Sequence, residues 1–145
     1  MKIVMIGQKN IPSEQVDSVE SRVEELGTRL VHDGHIVFAY VSGFQKDKTL
    51  SRFNGIDLLY IPRIFTVLHA SFILRPDIIH LHSVSSMFFA WIPRIFCSSI
   101  TVISTIHDSN LTKKNRIPVQ IAMRFSHTLI ATKKIMRNVI ALKYK

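Results

Sequence analysis

Residues 2–41, "KIVMIGQKNIPSEQVDSVESRVEELGTRLVHDGHIVFAYV", decide the fold. "KIVMI" is an uninterrupted apolar run rich in β-branched residues, as expected of a strand covered on both faces. It stops at one glycine, Gly7, and a polar loop follows. Val19, Val23, Leu26 and Leu30 then recur at helical spacing, while Glu20, Arg22, Glu24, Glu25 and Arg29 fill the other faces. That pattern predicts an amphipathic helix. "HDGH" closes it, with Gly34 at the C′ position. "IVFAYV", 36–41, is the next strand.

Working outward, "GFQKDKTLSRFNG" reads as a polar loop and "IDLLYI", 56–61, as a third strand. A helix is expected over 64–74, ended by "RPD", then a fourth strand over 77–83. "VSSMFFAWIPRIF" predicts a helix kinked or ended near Pro93. A fifth strand over 100–106, a helix in "VQIAMRF", a sixth strand in "HTLIAT" and a last helix in "KKIMRNVIALKYK" complete the chain. Strands alternating with helices predict an α/β fold, a doubly wound parallel sheet of about six strands in a single domain. No repeat, linker or composition shift marks a second domain.

The bulk numbers agree. The 145 residues are 47% hydrophobic and 20% charged, which suits one domain with a sizeable core and argues against disorder. One cysteine, Cys97, excludes an internal disulfide and fits a reducing compartment. It follows an apolar helix and reads as an inert buried thiol. "MKIVMIG" is too short an apolar run for a secretory signal. The greasiest stretch, 87–103, contains Pro93, Arg94 and two serines, so it does not read as a spanning helix of roughly 20 apolar residues. The net charge of +9 favours an anionic partner: a nucleotide, a nucleic acid or a membrane surface. The basic residues are scattered and match no nucleic-acid motif, so no nucleic-acid partner is expected. The apolar, basic stretches "RIFTVLHASFILRP" and "WIPRIF" read as core-facing helices, or as helices that touch a membrane surface.

In doubly wound sheets, ligands bind beyond the carboxyl ends of the strands, where the strand order reverses. The residues to question are therefore Gly7–Ser18, Ser42–Gly43, His82–Ser86, His107–Asn110 and Thr132–Lys134. Asp17 or Ser18 can cap the first helix, and Asp17 with Glu20 has capping-box spacing. The same helix start could cradle a phosphate on its free N–H groups. The loop, however, has neither G-x-G-x-x-G nor G-x-x-x-x-G-K-[ST]. His80 and His82 lie two apart on a strand and share a face. With His107 they number three, but no carboxylate or cysteine accompanies them at ligand spacing, and neither metal nor cofactor is expected. His82 stands at the strand end and is the better placed to meet a ligand. His107 closes the fifth strand and can donate to a sugar hydroxyl or carbonyl, with Asp108 orienting it or capping the next turn.

These motifs, taken in order, resemble the N-terminal domain of family 4 retaining glycosyltransferases, the Rossmann-like half of a two-domain GT-B fold. The resemblance is carried by the opening strand and helix, by "GIDLLYIPRI", by "RPDIIHLHS", by "FFAWIPRI", by "TVISTIHDSN" and by "SHTLIATKKIMRNVI", and it covers nearly all of 1–145. It implies transfer of a sugar from a nucleotide-sugar donor to a glycan or lipid-linked acceptor, with retention of configuration. It implies an acceptor-side domain whose first loop approaches the donor diphosphate, and a catalytic-centre histidine contacting the donor sugar, at His107. The family's glycine pair falls on Asp17 and Ser18, and the glutamate after it on Glu20. His82, Asp17, Ser18 and Asp108 are the corresponding substrate-binding candidates.

Two departures bear on activity. Asp17 replaces a glycine and brings a negative charge toward a diphosphate. Two like charges about 4 Å apart repel by roughly 1 kcal/mol in water and several-fold more when partly buried. The family's donor domain and its E-x7-E motif are also not present in these 145 residues. The expectation is a cytoplasmic chain, peripheral on the inner membrane face, that transfers no sugar without a donor-binding half, for instance a complementary chain. The alternative is a non-catalytic binding or scaffold module, or a decayed remnant.

Overall fold

The computed structural model describes residues 1–8, 19–41, 51–106 and 116–131. Within these, β1 (Lys2–Gln8), α1 (Val19–His32) and β2 (Ile36–Val41) follow the sequence reading closely. The chain continues through β3 (Ser51–Phe53), β4 (Ile56–Leu59), α2 (Thr66–His69), β5 (Ile78–Leu81), α3 (Val84–Met87), α4 (Trp91–Phe96), β6 (Thr101–Ile106), α5 (Arg116–Phe125) and β7 (Thr128–Ala131). They build one seven-stranded sheet in the order β3-β4-β2-β1-β5-β6-β7. Six strands are parallel, and β3 is an antiparallel edge. The strand order reverses at β1, between β2 and β5, which makes that seam the topological switch point.

The two faces of β1 feed two cores. Met5 packs with Val23 of α1 and with Val37, Ala39, Ile56 and Leu58. Val4 and Ile6 point the other way, into a larger cluster with Ile79, Leu81, Met87, Val102 and Val119. α1 carries the first core's cover. α2 to α5 carry the second.

Helix α1 ends as read. Gly34 N–H donates to the Val31 carbonyl (3.0 Å) and His35 N–H to the Leu30 carbonyl (3.0 Å), a Schellman motif with Gly34 at C′. Its buried stripe differs from the expected one. Leu26 is 37% exposed, and the place against the sheet is taken by Gly27, where an added Cβ would sit 2.7 Å from Ile56 Cδ1. The absent side chain lets the helix lie close on β4.

The segment read as a polar loop, 43–55, contains β3. Asn54 (φ +47°) and Gly55 (φ +81°) form a two-residue turn with both centres left-handed, which pairs Phe53 with Ile56. Asn-Gly between apolar residues is the sequence signal for such a hairpin. The helix expected over 64–74 is present but irregular. A 3-10 turn at Arg63–Phe65 leads into α2, and Ala70–Leu74 widens to a π-helical turn that stops at Arg75 in left-handed geometry (φ +47°). The helix expected through "VSSMFFAWIPRIF" is two short helices, broken at 88–90 rather than at Pro93. Pro93 is the third residue of α4, where no N–H is required, and its ring disfavours helical continuity with the turn before it.

Candidate functional site

The carboxyl ends of β1 and β5 meet at the switch point, and Gly7 governs how closely. The β1–β2 register shifts between Ile6 and Gln8, so Gly7 bulges out of the ladder with φ +120°. A Cβ built on Gly7 would lie 2.6 Å from Ser83 N, 2.8 Å from Ser83 Cβ and 2.9 Å from Ser83 Oγ. Both the dihedral and the space demand glycine. The glycine that ends the first strand thus serves the close approach of β1 to the residues after β5. His82 N–H, just before, donates to the Ile6 carbonyl (2.8 Å) and extends that seam.

Three serines follow. Ser83 caps α3 with a reciprocal box: Ser86 N–H donates to Ser83 Oγ (3.3 Å) and Ser83 N–H to Ser86 Oγ (3.3 Å). Ser86 Oγ also donates to the Ser83 carbonyl (2.8 Å), and Ser83 Oγ lies 3.1 Å from Ser85 Oγ. The hydroxyls form one connected group at the switch point. Sequence reasoning included 82–86 among the strand-end segments but gave these serines no role. S-x-x-S directly after a strand was the available signal.

His80 and His82 share the α1-side face of β5, as their spacing predicted. Their rings lie 3.9 Å apart between centroids, tilted by 38°. His80 Nε2 is 2.7 Å from Thr105 Oγ1 on β6. Both histidines are buried, and both His82 ring nitrogens are shut off from solvent. The arrangement brings Thr105, His80 and His82 together on one face of the sheet, with His82 toward its carboxyl end. Among the described residues at the ends of β1 and β5 there is no Asp, Glu, Lys or Arg. No group of three His, Cys, Asp or Glu side chains that could hold a metal occurs among the described residues.

Asp17, Ser18, His107 and Asp108 lie outside the described residues, as do the segments after β2 and β7 that the sequence singled out. The strand that leads into His107 is described: β6 ends at Ile106, which is fully packed. Of the sequence-derived candidates, the structure places His82, beside His80 and next to the serine group.

Elsewhere, Tyr40 near the end of β2 is buried, and its hydroxyl lies 2.6 Å from His69 Nδ1 on α2. Burial pushes the Tyr40 pKa up. Cys97 is half-buried, with its thiol 3.6 Å from the Ser71 carbonyl. Among the described residues, no helix is long and apolar enough to cross a membrane.

No protein-family model matches the chain, and no curated protein matches it by sequence. Among solved structures, a sucrose-phosphate synthase from Thermosynechococcus elongatus matches 97% of this chain with a TM-score of 0.69 at 15% identity. The chain spans 44% of that protein's length. The likeness establishes the fold, the Rossmann-like arrangement found as one half of a GT-B glycosyltransferase.

Proposed function

We propose that this chain is the acceptor-side domain of a family 4 type glycosyltransferase. Its partner molecules are a glycan or lipid-linked acceptor and, once a donor-binding half is supplied, a nucleotide-sugar. The observation that carries the reading is the fold match over 97% of the chain to part of a sugar-transferring enzyme. The ordered motifs from "KIVMIG" to "TVISTIHDSN" support it independently. In this reading His107 contacts the donor sugar at the catalytic centre, and Asp17, Ser18, His82 and Asp108 line the substrate side. The serine hydroxyls at the switch point are uncharged donors and acceptors, the chemistry that sugar hydroxyls match. The site of action is the cytoplasmic side of a membrane.

Transfer requires a donor-binding half, on this chain's continuation or on another chain. Saturation-transfer NMR on the 145-residue chain tests the division of labour. Oligosaccharides should receive saturation and UDP-glucose should not. Tight UDP-glucose binding with no oligosaccharide contact would overturn the assignment. With a donor half supplied, His107→Ala should lower transfer about 100-fold or more.

A second reading, a binding or scaffold module without chemistry, is favoured by Asp17 and Ser18 where the family has glycines. Restoring Gly-Gly in the two-half enzyme separates the readings. A large gain in rate marks a diphosphate-facing loop, and no change marks a module that has left catalysis.

A further inference from the structure

We infer that Ser85 is the residue at the carboxyl end of β5 that meets the acceptor, and that it accepts a hydrogen bond from a ligand hydroxyl. This corner of the site then takes a neutral sugar hydroxyl rather than a phosphate. The inference rests on the acceptor-side reading and names a contact for it.

The protons of the three serines can be followed one at a time. Ser86 Oγ lies 2.8 Å from the Ser83 carbonyl, which only accepts, so the Ser86 proton goes there. At the 3.0 Å contact between Ser83 Oγ and Ser86 Oγ, the donor is therefore Ser83. That uses the one proton Ser83 has. At the 3.1 Å contact between Ser83 Oγ and Ser85 Oγ, the donor is then Ser85. The backbone completes the pattern: Ser83 Oγ accepts from Ser86 N–H and Ser86 Oγ from Ser83 N–H, each at 3.3 Å. Ser83 and Ser86 are now saturated, each hydroxyl giving one bond and taking two. Ser85 has given its proton and takes none from the described residues. Its two lone pairs end the series.

Packing leaves that end within reach of a ligand. Ser86 is 2% exposed, whereas Ser85 is half-buried. Ser83 is held against Gly7, where an added Cβ would come within 2.9 Å of Ser83 Oγ. The hydroxyl network is thus set before a ligand arrives, and binding does not have to order it.

A group that accepts selects a partner that donates. An ionised phosphate oxygen only accepts, so it would face Ser85 lone pair against lone pair. Two amides that could receive such an oxygen, Ser83 N–H and Ser86 N–H, already donate to serine oxygens. No Lys or Arg stands among the described residues at the ends of β1 and β5 to offset the charge. A sugar hydroxyl brings the proton that Ser85 can take.

Saturation-transfer NMR on the full 145-residue chain is run with maltotriose, cellotriose and chitotriose, and the strongest binder is titrated. Ser85→Ala should weaken its binding about fivefold and Ser85→Thr should restore it. The unfolding midpoint should not move, because the Ser83–Ser86 capping pair is intact. At the sugar position that receives most saturation, deoxy and deoxyfluoro analogues should bind the wild type equally weakly, since fluorine cannot donate. Ser85→Ala should no longer distinguish them from the parent sugar. Sodium phosphate should leave the amide signals of residues 83–86 in place. Equal binding by wild type and Ser85→Ala would overturn the assignment of Ser85. A deoxyfluoro analogue that binds like the parent would overturn the direction of the bond, and serine amides shifted by phosphate would overturn the ligand class. A wild-type chain that binds none of the trisaccharides overturns the acceptor-side reading itself, and the inference with it.

Discussion

The two faces of the sheet are covered in opposite ways. On one, α1 runs fourteen residues, ends in a Schellman motif and mixes glutamate with arginine on its outer side. On the other, the cover is broken into short pieces, with a π-turn after α2 and a break before Pro93. Its outer side shows phenylalanine, isoleucine and arginine. The first face looks like a surface made for water. The second buries more core residues yet leaves more apolar surface outside. The difference teaches that segmentation has a structural cost and a use: short helix ends can aim side chains outward that a continuous amphipathic helix would have turned to the sheet.

Substitutions can break this comparison at several levels. The largest effect is expected at Gly7, where the broken cover is anchored through Ser83. Gly7→Val places a branched side chain against the Ser83 backbone at φ +120° and should cost about 4 kcal/mol, or abolish folding. Urea unfolding measures it; a loss below about 1 kcal/mol would mean that α3 docks without the close approach. Next, the two cores can be compared directly. Ile79→Ala in the larger cluster should cost about 3 kcal/mol, and Val23→Ala under α1 about 2 kcal/mol. A reversed order would place the main stability under α1.

Smaller effects sharpen the picture. Gly55→Ala forces a side chain into the left-handed turn, with its Cβ 2.5 Å from Val31 Cγ1, and should cost about 1.5 kcal/mol. It tests whether α1 also pins the β3–β4 hairpin. Tyr40→Phe removes the hydroxyl that ties β2 to α2 and should cost about 1 kcal/mol at pH 7. Burial raises the folded-state pKa of Tyr40 above its unfolded value, so the folded chain holds this proton after the unfolded chain has lost it. Its contribution is constant below the unfolded pKa and falls as pH rises above it. The gap between wild type and Tyr40→Phe should therefore narrow above about pH 10 in paired denaturant titrations.

The site was legible only in part. His80 and His82 share a face because strand side chains alternate, a rule the sequence obeys without help. That Gly7 exists to admit Ser83 could not be read, because the two residues are 76 positions apart and meet only through strand pairing. Ser83 and Ser86 carry a local capping signature, S-x-x-S directly after a strand. Asp17, Ser18, His107 and Asp108 lie outside the described residues and rest on the motif resemblance alone.

The sequence by itself determined most of the strands and helices among the described residues, the cap at Gly34 and the doubly wound class. Each of these depends on periodicity and on residues within a few positions of one another. It also held the Asn54–Gly55 hairpin, in two residues whose left-handed geometry is local. Only the tertiary structure decided the strand order, the seam at Gly7, the use of Gly27 in place of Leu26 against β4, and the gathering of Phe72, Phe96, Arg94 and His127 at one end of the sheet. Those outcomes depend on which distant surfaces come to share a space. Local propensity carries no term for that, and packing settles it.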